Sequence, residues 1–263
     1  MKGKSRMKNW ELALCLLLGC GTALGIKYIY GNAGSDELLW ILAPTAWWTR
    51  ILGGIAFTYE PGVGYVNHTF QFIIAPSCAG VRFFIISFLM LTVSFVSRRK
   101  NLGQGMLWIA RSMEIAWLYT CLVNGVRMVL SIRVPPVLEG AGIGGNWLTW
   151  ERLHTIIGTA VYFTALLLLY RLGEWLSERI GQIKPALQTR QGMEAGQIAL
   201  FLREIWKPIL WYILPVLVIP LLNRILRQNY KGLAEYIRLV GGVCLILSFI
   251  LYLVKLYCFR RSR

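Results

Sequence analysis

Apolar runs of membrane-spanning length constrain this chain more than any other feature. A helix needs roughly 20 apolar residues to cross a bilayer. Six runs are clear candidates for spanning helices: Trp10–Ile29, Pro76–Val96, Met106–Ile132, Leu153–Leu172, Pro208–Leu222 and Ile237–Phe259. A seventh stretch, Leu38–Phe57, contains Pro44, a tryptophan pair and Arg50, which is typical of an interfacial, re-entrant or twice-crossing segment.

These runs leave no room for a separate soluble domain. The chain has 263 residues, of which 56% are hydrophobic and only 15% are charged. We therefore predict an all-α fold, a polytopic transmembrane helix bundle of about six to eight spans. Its predicted segments are an N-terminal anchor helix (1–35), a membrane core (36–175), a cytoplasmic connecting loop (176–207) and a C-terminal helix pair (208–263).

Basic residues are clustered between the apolar runs. The formal net charge is +16, which in a soluble protein would suggest nucleic acid. Here the clusters are KGKSRMK at the N-terminus, SRRK at 97–100 and FRRSR at the C-terminus. Positive-inside anchoring against anionic lipid explains them, so we expect the lipid bilayer and not nucleic acid as a partner. The first run continues toward Tyr30, which favours an uncleaved helix over a signal peptide.

The charge bias predicts an orientation in the plasma (inner) membrane, with both termini and the SRRK loop on the cytoplasmic side. The helix beginning near Pro76 then starts at the outer face. Cys78 lies at that start, Arg127 near the outer end of the next helix, and His154 at the outer start of the one after. Hydropathy and charge thus predict that three reactive groups meet near the external interface.

Each of these residues also has a structural interpretation. Cys78 could be an ordinary core cysteine, His154 an interfacial histidine, and Arg127 a snorkelling anchor. Together they suit nucleophilic chemistry, because a helix N-terminus favours a thiolate at Cys78 and Arg82 adds positive charge. An imidazole can carry the proton, and a guanidinium can stabilise an oxyanion or hold a carboxylate. Without a CxxC, and with two histidines, the sequence predicts no metal site and no cofactor.

The order of these motifs resembles the exosortase/archaeosortase family of membrane cysteine transpeptidases. The similarity covers roughly residues 60–172, and alanine stands where serine is commoner after the cysteine. The matching residues are Cys78, Ala79 and Gly80, with Arg82 shortly after, then Asn124 and Arg127, and finally His154 and Gly158.

The resemblance implies a function. Such enzymes cleave a C-terminal sorting signal, made of a short motif, a transmembrane helix and a basic cluster, and transfer the exported protein to an acceptor. By this resemblance Cys78 is the nucleophile, Arg127 the oxyanion or carboxylate partner, and His154 the acid/base, with Arg82 and Asn124 in supporting roles. The alternative is a membrane acyltransferase, or a transport or assembly component of surface polysaccharide export.

Overall fold

The computed structural model describes residues 7–143, 148–181, 206–221 and 232–261. Helices make up 80% of the structure, and the prediction of an all-α bundle is confirmed. The helices are α1 (Asn9–Asn32), α2 (Leu39–Gly53), α3 (Val81–Phe95), α4 (Leu102–Gly140), α5 (Trp150–Gly181), α6 (Trp206–Leu221) and α7 (Leu233–Arg261).

Five helices among the described residues are long and apolar enough to cross a membrane. They are α1, α3 with its flanking turns (Pro76–Arg98), α4, α5 and α7. α6 is a shorter apolar helix, and α2 has 15 residues. The predicted six to eight spans thus correspond to five long helices plus α6 as a sixth candidate.

The chain divides into two compact units. The first comprises Met1–Val137 and Leu169–Pro185, and the second comprises Leu138–Leu168 and Ala186–Arg263. The segment boundaries from the sequence stay a prediction. α5 continues to Gly181, so helix occupies the start of the predicted connecting loop, while residues 182–205 of that loop lie outside the described residues.

In the first unit, α1 fixes both ends of the α3–α4 hairpin. A Cβ added to Gly105, in the first turn of α4, would lie 2.6 Å from the Cys15 Sγ of α1. At the other end, the Tyr30 hydroxyl donates to the Pro76 carbonyl at 3.4 Å. The start of α1 therefore lies beside the α3–α4 turn, and its C-terminal end lies beside the segment that carries Cys78.

α2 is a single helix that packs on α4, although it contains Pro44. Proline has no N–H to donate to the carbonyl four residues earlier, which belongs to Trp40. The indole N–H of Trp117 donates to that carbonyl at 3.3 Å, so a side chain of α4 replaces the missing bond. The contact is close, because a Cβ on Gly125 would lie 2.6 Å from the Trp48 Cβ.

A small antiparallel sheet joins α2 to the Cys78 segment, and the sequence had not predicted it. Its strands β1 (Thr58–Glu60), β2 (Gly64–Asn67) and β3 (Phe72–Ile74) lie in the order β1-β2-β3. Tyr65 pairs with Ile74 at the end of β3. The sheet thus ends two residues before Pro76 and holds the approach to Cys78.

The basic SRRK cluster is partly inside the protein. Arg99 is only 4% exposed, its guanidinium lies 3.9 Å from the centre of the Trp108 ring, and it donates to the Ser177 hydroxyl at 3.2 Å. Burial, and then the neighbouring charge of Arg98, lower the pKa of Arg99 to about 10. Arg99 therefore connects the later part of α5 to the α3–α4 turn. An arginine that only bound anionic lipid would not need these contacts.

The second unit contains the first half of α5 together with α6 and α7. α6 includes Pro215 and Pro220 and widens into a π-helical turn at Leu214–Val218. Pro220 cannot donate to the carbonyl of Val216, and the Tyr236 hydroxyl of α7 donates to that carbonyl at 2.8 Å. The proline-rich helix is thereby held by its neighbour.

Candidate active site around Cys78

Cys78 lies in a short turn that precedes α3. Residues Pro76–Cys78 form a single 3-10 turn, and Gly80 follows in the left-handed conformation with φ +75° before α3 starts at Val81. The expectation that Cys78 occupies the first turn of this helix is therefore wrong. Gly80 separates the turn from the helix, and the N–H of Cys78 already donates to the Ala75 carbonyl at 2.8 Å.

Asn124 of α4 holds this turn from the side. Its Nδ2 donates to the carbonyl oxygen of Cys78 at 2.7 Å and lies 3.5 Å from the Thr45 hydroxyl of α2. Asn124 is fully buried. The hydrogen bond is partly buried, and a carbonyl withdrawn from water without a donor costs free energy, so this amide sets where the cysteine backbone can lie.

Gly80 is required at its position for two reasons. Its positive φ is unfavourable for any residue with a Cβ. A Cβ there would also lie 3.2 Å from the Asn124 Cγ and 3.3 Å from the Thr120 Cγ2. The turn and α4 therefore approach each other through a residue without a side chain.

Arg127 continues the same face of α4. It follows Asn124 by three residues, and side chains at this spacing lie one above the other on a helix. Only 9% of Arg127 is exposed, although the helix is of membrane-spanning length. A buried guanidinium in such a helix is costly, and it marks this face of α4 as a candidate functional surface.

Cys78 is not enclosed in the core. The residue is half-buried, and the exposed Ser77 places its hydroxyl 3.9 Å from the Cys78 Sγ. Among the described cysteines, Cys15, Cys121 and Cys244 are buried, and Cys20 lies on the exposed apolar face of α1. Among the described cysteines, Cys78 is thus distinguished by intermediate burial and a neighbouring hydroxyl, and its role as a nucleophile stays a prediction.

The remaining predicted residues are placed less closely. Arg82 is exposed on the first turn of α3 and does not join the buried contact between Asn124 and the turn. His154 lies half-buried in the second turn of α5. It belongs to the second unit, whereas Cys78, Arg82, Asn124 and Arg127 belong to the first. Its approach to Cys78 therefore stays a prediction.

The other histidine has a partner of its own. His68 follows β2, is 77% exposed, and pairs with Glu60 of β1 at 2.7 Å. Nearby, Asp36 accepts hydrogen bonds from the Tyr59 hydroxyl at 2.7 Å and from the Gly62 N–H at 2.8 Å. Both donors lower the pKa of Asp36, and the hydrogen bond to Asp36 raises the pKa of Tyr59. The polar groups of the sheet thus stabilise the sheet itself.

Sequence reasoning missed two residues that support the turn. Thr45 lies beside Asn124, and Tyr30 donates to the Pro76 carbonyl. The sequence offered one signal for Thr45, which is that Thr45 and Thr49 are spaced four apart within a tryptophan-rich segment. In the structure both threonines are fully buried. No group of three or more metal-ligating side chains occurs within the described ranges.

Five membrane-length apolar helices and a thiol-bearing turn packed on one of them define a polytopic helical membrane protein. No family model, no curated protein and no solved structure matches this chain.

Proposed function

We propose that this chain is an integral-membrane cysteine protease or transpeptidase that cleaves a C-terminal sorting signal of exported proteins. One observation carries the proposal. The carbonyl of the half-buried Cys78 accepts a 2.7 Å hydrogen bond from the buried Asn124, and the buried Arg127 follows on the same face of α4. A core cysteine would need neither exposure nor a dedicated buried donor, and a snorkelling arginine would not be buried.

The proposed reaction is acyl transfer through a thioester. His154 removes the thiol proton, and the Cys78 sulfur attacks the scissile carbonyl to form a tetrahedral intermediate whose oxyanion is stabilised by Arg127. The carbon–nitrogen bond then breaks, and the leaving amine takes the proton from His154. An amine, a hydroxyl or water attacks the thioester and gives up a proton to His154, and the released Cys78 sulfur regains one.

Asn124 and Gly80 have a supporting part in this scheme. Both act on the backbone around Cys78, so they set where the sulfur lies relative to a bound carbonyl. Arg82 is exposed on the first turn of α3, so it could contact a substrate bound near Cys78. No metal and no cofactor enters the proposed reaction.

The proposed location is the plasma (inner) membrane, with both termini cytoplasmic and Cys78 toward the extracytoplasmic face. The basic clusters support this orientation through the positive-inside rule. The packing of the described residues is consistent with it, because the start of α1 lies beside the α3–α4 turn that carries the SRRK cluster.

The proposed substrates are exported proteins that carry a short motif, a transmembrane helix and a basic cluster at the C-terminus. This class comes from the resemblance to the exosortase/archaeosortase family. It suits a thiol at the end of a membrane helix, because the bond to be cut would lie just outside the bilayer. The acceptor would approach from the same side.

Substitution of the three central residues tests the proposal. Cys78→Ala, Arg127→Ala and His154→Ala should each reduce processing of a sorting-signal reporter by at least 100-fold, on the scale of losing a catalytic group. Immunoblotting of membranes would report both processing and accumulation of each variant. Cys121→Ala, which removes a buried cysteine from α4, is the matched control and should process normally. Processing by Cys78→Ala would refute the nucleophile.

A labelling experiment tests the orientation. In a variant that keeps only Cys78, a membrane-impermeant thiol reagent should label the protein from outside intact cells. Labelling that requires opened cells would place the thiol on the cytoplasmic side and contradict the proposed topology.

A further inference from the structure

Polar contacts tie the beginning of α5 to both C-terminal helices. The Arg152 Nε lies 2.6 Å from the Glu235 Oε1 of α7. About two turns further along α5, the Tyr212 hydroxyl of α6 donates to the Thr159 carbonyl at 3.3 Å. His154 lies between these two contacts, so the part of α5 that carries it is held on both sides along the chain.

An aromatic contact strengthens the second attachment. The rings of Phe163 and Tyr212 meet edge to face at 5.3 Å, and Phe163 is fully buried. α6 is in turn fixed by α7 through the hydrogen bond from Tyr236 to the Val216 carbonyl. α6 and α7 therefore form a connected bracket around the first half of α5.

The ion pair between Arg152 and Glu235 lies in the first turn of α5, where a helix unfolds most easily. α5 begins at Trp150, and the Thr149 hydroxyl caps it by accepting from the Arg152 N–H at 3.4 Å. Terminal turns open most readily, because their N–H groups have few partners within the helix. The ion pair with Glu235 restrains this first turn, immediately before His154.

We propose that Glu235 is a positioning residue for His154, and that the C-terminal helices serve as the bracket that keeps this histidine in its reactive place. The inference rests on the proposed function of His154 and assigns a role to a helix pair that the sequence motifs leave unexplained. Glu235 acts through Arg152 and touches no substrate.

A second ion pair on α5 provides a matched control. Arg171 and Glu174 lie 3.1 Å apart, and both pairs are partly exposed: Glu174 is 29% exposed against 51% for Glu235, and Arg171 is 48% exposed against 28% for Arg152. The control pair joins residues of one helix, however, whereas the Arg152 pair joins two. Glu174→Gln therefore removes a comparable charge without releasing the end of α5.

The test measures the place of His154 without any substrate. Carbethoxylation of the full-length protein in membranes, followed by mass spectrometry, gives the modification rates of His154 and His68. These are the two histidines of the chain, so His68 serves as the internal reference. Glu235→Gln should change the ratio of the two rates by about two- to five-fold, as expected for a partly exposed pair. Glu174→Gln should leave it unchanged.

Rescue separates the ion pair from a general loss of structure. The double variant Arg152→Glu with Glu235→Arg should restore the ratio, whereas either single reversal should not. Processing of the reporter should fall by about two- to five-fold in Glu235→Gln, mainly in kcat with KM preserved, and should recover in the double variant. An unchanged ratio in Glu235→Gln, or no recovery on charge reversal, overturns the bracket.

The two proposals fail in different ways. A changed labelling ratio with unchanged processing supports the bracket and contradicts the catalytic role of His154. Lost processing in His154→Ala together with an unchanged ratio in Glu235→Gln supports that role and refutes the positioning by Glu235.

Discussion

The hydrogen bond from Asn124 to the Cys78 carbonyl allows a quantitative prediction. In Asn124→Ala, a carbonyl that accepts a 2.7 Å bond loses its donor in a place where the side chain was fully buried. Leaving a fully buried acceptor unpaired costs about 1–3 kcal/mol, this bond is only partly buried, and hydrogen bonds between membrane helices contribute about 0.6 kcal/mol on average. We therefore expect the free energy of unfolding to fall by about 1–2 kcal/mol.

Asn67→Ala is the control for this measurement. Asn67 also donates its amide to a backbone carbonyl, that of Ala56 at 2.6 Å, and it accepts from the Phe70 N–H at 2.8 Å. Asn67 is half-buried, but both of its hydrogen bonds are exposed, so water can replace them, and we expect a change within about 0.5 kcal/mol. The comparison separates burial from the mere presence of a hydrogen bond.

Unfolding of the purified protein in mixed detergent micelles, followed by tryptophan fluorescence, would give both free energies. Alkylation of Cys78 provides a local readout, because the released turn in Asn124→Ala should expose the thiol and raise the alkylation rate by about two-fold or more. The reasoning is refuted if Asn124→Ala loses no more stability than Asn67→Ala and alkylates at the unaltered rate.

Two further predictions concern packing and charge. Gly125→Ala should lower the free energy of unfolding by about 1–3 kcal/mol in the same assay, because the new Cβ would lie 2.6 Å from the Cβ of Trp48. Gly241→Ala is the control and should be neutral, because a Cβ at Gly241 would have no atom within 4 Å. Equal effects would contradict the close packing of α2 on α4. Asp36 stabilises the fold above its ordinary pKa, since its folded pKa is lowered, and this contribution is lost as the pH falls through the lowered value. Tyr59→Phe removes the larger cause and should raise the pKa of Asp36, measured by carbon-13 NMR of the carboxyl group; an unchanged titration would contradict the assignment.

The helices were predictable because their signal is local. Apolar length predicted α1, α3, α4, α5 and α7, and each is present among the described residues. The unusual composition around Cys78 was equally local, and among the described cysteines it identified one that is half-buried beside an exposed hydroxyl. The tryptophan-rich stretch was ambiguous, because Pro44 breaks the pattern unless another helix supplies a donor to the Trp40 carbonyl, as Trp117 does.

The geometry around the cysteine was not predictable in this way. The helix start expected at Pro76 is interrupted by Gly80, which has a left-handed conformation and packs closely against Asn124. No local sequence pattern indicates this contact. The three-stranded sheet was missed because its strands have only three or four residues. Such short strands carry too few alternations to be read from sequence.

The sequence by itself determined a helical membrane protein, the position of its basic clusters and the distinction of Cys78, because each depends on neighbouring residues. Only the tertiary structure decided that Asn124, 46 residues away, would hold the Cys78 carbonyl, that Thr45 would lie beside it, and that Arg99 would be buried against Trp108. These contacts depend on which helix faces meet, and that choice is made by close packing over the whole bundle.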